Sequence, residues 1–302
     1  ADGGKHRIKG PVDQSPWLNR KPAPVLSDAT SDEWLPLLSP SPGNQVDAIA
    51  ITSVGTIHTA GAGGGILSSS NGGRTWQSRQ PSLTNTHVRS LMDFKGRLFA
   101  ASDRGVLISS DDGFSWRTVD GDEFKRTARC FAWHGDRLYV GQNGGIDWTD
   151  DKGVTWHPSV SERRHGGFAG ADIVSLLAMD GVIHSSINGR GGTFRSYDDG
   201  VYWHEANLAG HHIHSLVSVQ NTLFAASDTL VYVSTNEGLT WSTFSQFDAD
   251  LDGRRIHALA SRNDSLVLLT DAGTVLESNT LLADTPQWRE LVGGIPGGNG
   301  ST

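Results

Sequence analysis

The sequence predicts an all-β chain folded as a single β-propeller of six four-stranded blades. Three observations predict it. One octapeptide recurs five times. The tryptophans that close successive units stand 40, 40, 47, 38 and 47 residues apart, the period of propeller blades. Between them run short alternating segments of branched and aromatic residues bounded by Gly and Asn, the pattern of strands and tight turns. A fixed period over 302 residues favours one closed array over two domains. The 37 glycines and ten tryptophans suit a turn-rich β protein.

The octapeptide reads SSNGGRTW at residues 69–76, SSDDGFSW at 109–116, TDDKGVTW at 149–156, SYDDGVYW at 196–203 and STNEGLTW at 234–241. Its Asp or Asn can accept a bond from the backbone two residues on and close a turn. The Gly that follows supplies a positive φ. The Trp (76, 116, 156, 203 or 241) buries a large ring at the start of the return strand and sets its register. The leading Ser or Thr can tie the two strands together. This octapeptide resembles the Asp-box repeat of sialidases, xyloglucan-cleaving glycoside hydrolases, sortilin-type receptors and photosystem-assembly propellers. The resemblance implies the propeller fold; the functions within that group are unrelated.

Taken in order, residues 1–46 hold seven of the eleven prolines and a basic cluster (Lys5, His6, Arg7, Lys9, Arg20, Lys21), and read as an extended arm packed on the domain. Within it, the stretch from Trp34 to Leu38 imitates the strand that follows an octapeptide. Residues 47–292 form the propeller and residues 293–302 a Gly-rich tail. Each unit opens with an inner strand: VDAI (46–49), VRSL (88–91), ARCF (128–131), IVSL (173–176), IHSL (213–216) and IHAL (256–259). The sixth unit is degenerate, since Ser278 reaches Trp288 in ten steps rather than seven. Seven blades stay open as an alternative in which the arm builds most of another.

A formal charge of −8 and a pI near 5.8 argue against a nucleic-acid binder. No apolar run approaches the roughly 20 residues of a membrane helix. Cys130 is the only cysteine, so no intrachain disulfide forms. A chain that opens on Ala1 is consistent with a removed signal peptide and a secreted or periplasmic protein.

Laid on one another, the six units differ at one position. The second residue of the inner strand is Asp47, Arg89, Arg129, Val174, His214 and His257, while its neighbours stay small or apolar. Just upstream on the same rim stand His87, Asp172, His212 and Arg255. A mixed His, Arg and Asp set at a channel mouth points to a ligand site, with His214, His257, Asp47, Arg89 and Arg129 as its catalytic candidates. His87, His212, Asp172, Arg255 and Arg190, the last in a glycine-rich loop, are its binding candidates. Two imidazoles and a carboxylate on three consecutive blades also match a transition-metal ligand set, with Arg89 and Arg129 opposing an anionic substrate. Asp248, Asp250 and Asp252 precede Gly253 at alternate positions, like the opening of a calcium loop.

Sialidase resemblance implies an Arg-Ile-Pro near the start and a Tyr/Glu pair. Lys9 replaces that proline, and Tyr139, Tyr197, Tyr202 and Tyr232 fall in strands or octapeptides. The carboxylate of the xyloglucan enzymes is also missing, with Ala62 in its place. The expectation is a secreted propeller that binds, and cleaves by glycoside-hydrolase or lyase chemistry, an anionic carbohydrate at its top face. The alternative is a non-catalytic scaffold or receptor that holds a protein partner there.

Overall fold

The computed structural model describes residues 46–63, 65–78, 83, 85–119, 126–161, 171–189, 191–246, 255–271, 273–281 and 286–291. Residues 1–45 of the expected arm and the expected tail lie outside these, as do Arg190, Asp248, Asp250 and Asp252.

The described residues contain no α-helix and form six blades in chain order. Blade one is β1 (Ala48–Ile51), β2 (Ile57–Gly61), β3 (Gly65–Ser69) and β4 (Gln77–Ser78). Blade two is β5 (Val88–Phe94), β6 (Arg97–Ser102), β7 (Gly105–Ser109) and β8 (Arg117–Thr118). Blade three is β9 (Ala128–His134), β10 (Arg137–Gln142), β11 (Gly145–Thr149) and β12 (His157–Pro158). In blade four, β14 (Ile173–Met179), β15 (Val182–Ile187), β16 (Thr193–Ser196) and β17 (Tyr202–Glu205) repeat the plan. There β13 (Val160–Ser161) adds a fifth strand, parallel to β17, which the repeat does not predict. Blade five is β18 (Ser215–Val219), β19 (Thr222–Ala226), β20 (Leu230–Ser234) and β21 (Ser242–Gln246). Blade six is β22 (Ile256–Arg262), β23 (Ser265–Thr270), β24 (Val275–Ser278) and β25 (Arg289–Glu290). The inner strands β1, β5, β9, β14, β18 and β22 pack in sequence around the channel of a six-blade β-propeller.

The octapeptide forms one turn in all five copies. In the first, the Ser69 hydroxyl donates to Asn71 Oδ1 at 2.9 Å and accepts from the Gly73 amide at 2.9 Å. Asn71 Oδ1 also accepts from the Thr75 amide at 2.9 Å. Asp111, Asp151, Asp198 and Asn236 accept in the same way from residues 115, 155, 202 and 240. The side-chain bonds therefore span four residues, not the two expected, because the intervening residue pair (Asp112 and Gly113, for example) both take positive φ and wind the loop inward. In the degenerate sixth copy, Thr280 Oγ1 takes the acceptor's place and receives the Gln287 amide at 2.7 Å, seven residues away. Of the repeated tryptophans, Trp116 and Trp203 are buried and Trp76, Trp156 and Trp241 half-buried.

Four of the five turn glycines also meet the preceding blade. A Cβ on Gly113 would lie 2.8 Å from the His58 ring, one on Gly153 3.0 Å from Phe99, and one on Gly200 2.3 Å from Tyr139. Gly238 meets His184 at 3.4 Å. These four rings occupy one position of the second strand and alternate with small residues, so blades one to four each present an aromatic face to the next. A second tie runs between inner strands: the Leu216 amide donates to Ser175 Oγ, and the Leu259 amide to Ser215 Oγ, each at 3.1 Å.

Gly200→Ala places a methyl group in the Tyr139 ring at φ +76°, and the overpacking should lower unfolding stability by about 3 kcal/mol. Gly135→Ala, at φ +55° with open space around it, should lose only the left-handed strain of about 1 kcal/mol. Urea unfolding of the two variants measures the difference. Acid supplies a second test. Partial burial pushes the Asp151 carboxyl up, but bonds from Thr155, Thr149 and Val154 outweigh it and hold the group at about 2. Its contribution is then complete above the unfolded value of about 4 and is lost as pH falls towards 2. Asp151→Asn should fold, as Asn71 and Asn236 already do at that position, and should flatten the urea midpoint between pH 5 and 2.

Candidate functional site

The variable second residue of the inner strand has a structural cause. In blade two, Val88 pairs with Ser102 and Ser90 with Ala101, so Arg89 is left out of the ladder. The same register shift leaves out Arg129, Val174 and His257. A bulged residue is unpaired and its side chain is re-aimed. In blades one and five, Asp47 and His214 instead donate their amides to Ala60 and Ala226 just ahead of the inner strand. The four bulges and these two strand entrances therefore set all six positions at the same rim.

Most of the charges there are matched across blades. His87 Nε2 lies 2.7 Å from Asp47 Oδ2 of the preceding blade. Arg129 Nη2 donates to Asp172 Oδ2 of the following blade, and its Nε to Asn143 Oδ1, each at 2.8 Å. His212 Nε2 lies 3.1 Å from Asn188 Oδ1 and its Nδ1 3.7 Å from Asp228 Oδ1. Arg255 Nη1 approaches Asp228 Oδ2 at 3.7 Å, and its amide donates to Asp271 Oδ1.

Two groups are left over. Arg89 has a buried Nη1 with no hydrogen-bond partner among the described residues. Burial and the neighbouring Arg129 guanidinium hold its pKa below the ordinary arginine value, against the opposing pull of Asp103 and Asp47. His214 likewise has a buried Nε2 without a partner among the described residues. Burial pushes its pKa down, a backbone hydrogen bond at Ser227 opposes this, and His212 adds to the depression. Its ring lies 5.9 Å from that of His212, while His257 is exposed.

Asp47 is thus drawn to His87, and the structure gives no contact joining it to His214 and His257. Sequence reasoning missed a further set: Asp103, Asn143, Asn188, Asp228 and Asp271, one in the turn between second and third strands of blades two to six. Four of them donate their amide to the carbonyl of the residue just before the inner strand: His87, Thr127, Asp172 and Arg255. Their recurrence at intervals of 40, 45, 40 and 43 residues was the available signal. An Asx in a Gly-rich turn reads first as a turn former, which concealed it.

No protein-family model matches the chain, and no curated protein does. Solved structures share its fold. The extracellular domain of BT4673 from B. thetaiotaomicron superposes with a TM-score of 0.66 at 17% identity, over 82% of this chain and 33% of that one. The chain therefore spans about a third of that domain's length. YCF48 from Cyanidioschyzon merolae gives 0.63 at 15% identity, over 82% and 84% of the two chains. The GH74 xyloglucanase from Xanthomonas campestris gives 0.60 at 17%, over 80% and 46%. At this identity the likeness is one of fold.

His214 should be neutral at pH 7. Its imidazole resonances should titrate with a midpoint below the ordinary value of about 6.5, and Asp228→Asn should lower the midpoint further by removing a carboxylate that favours the charged ring. Because the folded pKa is depressed, protonation favours unfolding, so this residue's contribution to stability is lost as pH falls below the unfolded value of about 6.5. NMR titration of the two proteins reads both effects.

Proposed function

We propose that the chain binds an anionic carbohydrate at the channel rim, with Arg89 as the anchoring cation. The observation that carries this reading is the buried Arg89 Nη1 left without a partner among the described residues beside a second guanidinium. Arg129 is committed to Asp172 and Asn143, whereas Arg89 sits beside it with a buried N–H and no acceptor among the described residues. A carboxylate or sulfate placed there would satisfy that donor and relieve the like-charge repulsion, and a guanidinium fork matches both groups. Work outside the cell is consistent with this reading, since one fold neighbour is an extracellular domain. His214 favours cleavage as well: an imidazole held neutral, with a free nitrogen at the same mouth, has the protonation state of a general base.

A different observation favours a protein-binding scaffold. At the opposite end of the inner strands a cavity of about 410 Å³ is lined by Met92, Phe131, Trp133, Leu176 and Met179, with Trp133 55% exposed. YCF48, of the same fold, has been solved with a D1 peptide bound. On this reading Trp133→Ala, and not a rim substitution, would abolish partner binding.

Calorimetric titration with polygalacturonate, a sulfated glycan and neutral xyloglucan tests the rim. The acidic polymers should bind, and Arg89→Ala should weaken them by about 10- to 100-fold, the worth of one charge-assisted hydrogen bond. Equal binding of the neutral polymer, or full affinity in Arg89→Ala, would overturn the assignment. His214→Ala should leave affinity nearly unchanged while removing any product release.

A further inference from the structure

One seam of the ring differs from the other five. The first inner-strand residue is fully buried in blades two to five (Val88, Ala128, Ile173, Ile213) and 3% exposed in blade six (Ile256), yet Val46 in blade one is 50% exposed. At the fourth position, Leu91, Phe131, Leu176, Leu216 and Leu259 are 6–8% exposed, whereas Ile49 is 59% exposed. Leu91 is buried in a cluster with Ala48, Ala50 and Ala60 of the preceding blade, so by the repeat Ile49 faces the side from which blade six would pack. Among the described residues, β22 and β1 do not reach the close packing that joins every other adjacent pair of inner strands.

Blade six also lacks the ring that the other blades carry on their second strand. Val267 stands where His58, Phe99, Tyr139, His184 and Phe224 supply a ring, and it is only half-buried. Ala258 also stands where Ser175 and Ser215 accept the next blade's amide, as Ala48 does at the seam with blade two. Exposed inner-strand side chains, loose strand packing and a missing ring coincide at this seam.

We infer that this seam is a docking site for residues 34–38 of the same chain, WLPLL. The repeat phase points to that segment. Trp34 stands forty-two residues before Trp76, within the spacing of the later tryptophans, and Ser27 precedes Trp34 by the same seven residues that separate Ser69 from Trp76. Residues 27–38 therefore have the phase of an octapeptide and its return strand in a unit ahead of unit one. In a ring, the place ahead of blade one is the seam with blade six. Reach allows it: seven residues lie between Leu38 and Val46, about 25 Å when extended. So short a tether gives an effective concentration in the millimolar range, which favours this segment over a second copy in dilute solution. The chemistry fits as well. Trp34, Leu35, Leu37 and Leu38 are apolar like Val46, Ile49 and Ile51, and Pro36 is compatible with an edge strand.

The test compares the full chain with W34A/L37A, Ile49→Asp and their combination, by hydrogen exchange, hydrophobic-dye binding and sedimentation. The wild type should be a monomer with little dye binding. W34A/L37A should keep its far-UV spectrum, bind dye, and exchange the β1 amides at least tenfold faster. Ile49→Asp should show the same faster exchange, and the combination should be no worse than either alone. Unchanged exchange and dye binding in W34A/L37A would overturn the proposal. So would a wild-type dimer that Ile49→Asp dissociates and W34A/L37A leaves intact, which would assign the seam to a second copy.

Discussion

The structure depends on a contact between an aromatic ring and a glycine. The turn glycine of one blade lies on the ring of the blade before it: Gly113 on His58, Gly153 on Phe99, Gly200 on Tyr139, Gly238 on His184. The residue must be glycine twice over, for its positive φ and for the space its missing Cβ leaves to the ring. The turn bonds from Asx and Ser hold that glycine at the right height, so turn chemistry and inter-blade packing are one constraint. Burying such rings contributes about 1.5–3 kcal/mol each. At the first seam the ring is an imidazole that also lies 2.9 Å from Ser68 Oγ and 3.4 Å from Asp112 Oδ1, so a polar network takes over part of the packing. At the fourth seam burial drives the His184 pKa down to about 4, with Arg195 adding to it, and the ring packs there as a neutral aromatic.

The inner strand serves two ends because of its bulge. Residues on either side of Arg89, Arg129, Val174 and His257 stay in the ladder and pack between blades, while the bulged residue is released from pairing. Charge can therefore vary at that position without disturbing the core. Neutralisation follows across the blades, with Asp47 beside His87 and Arg129 bonded to Asp172. Such pairs order the rim more than they stabilise it, since partly exposed ion pairs are worth about 1 kcal/mol or less. What remains uncompensated, Arg89 and the neutral His214, is where the rim has unspent interaction capacity.

A bacterial extracellular domain, YCF48 and a xyloglucanase share this fold at 15–17% identity. Such different proteins on one scaffold leave function to the side chains mounted on it. The chemistry of this chain is accordingly read from Arg89, Arg129 and His214 and not from its neighbours.

The sequence by itself determined the octapeptide turns and the strand order and favoured six blades over seven, because these interactions are local or periodic. The turn lies within eight residues and was legible there, although its bonds span four residues and not two. The rim was legible for a related reason: Asp47, Arg89, Arg129, His214 and His257 break a repeat whose other positions hold, and a departure from a periodic pattern needs no coordinates to be seen. Only the tertiary structure decided which charge meets which. Arg129 and Asp172 lie forty-three residues apart, and only the ring geometry brings them to 2.8 Å. The same holds for the Asx residues of the second turn, whose second role appears only beside the next inner strand. It holds also for the seam between blades six and one, where Val46 and Ile49 look like every other core residue in sequence. Burial is a property of what packs from the far side, and no residue carries that information in its own identity.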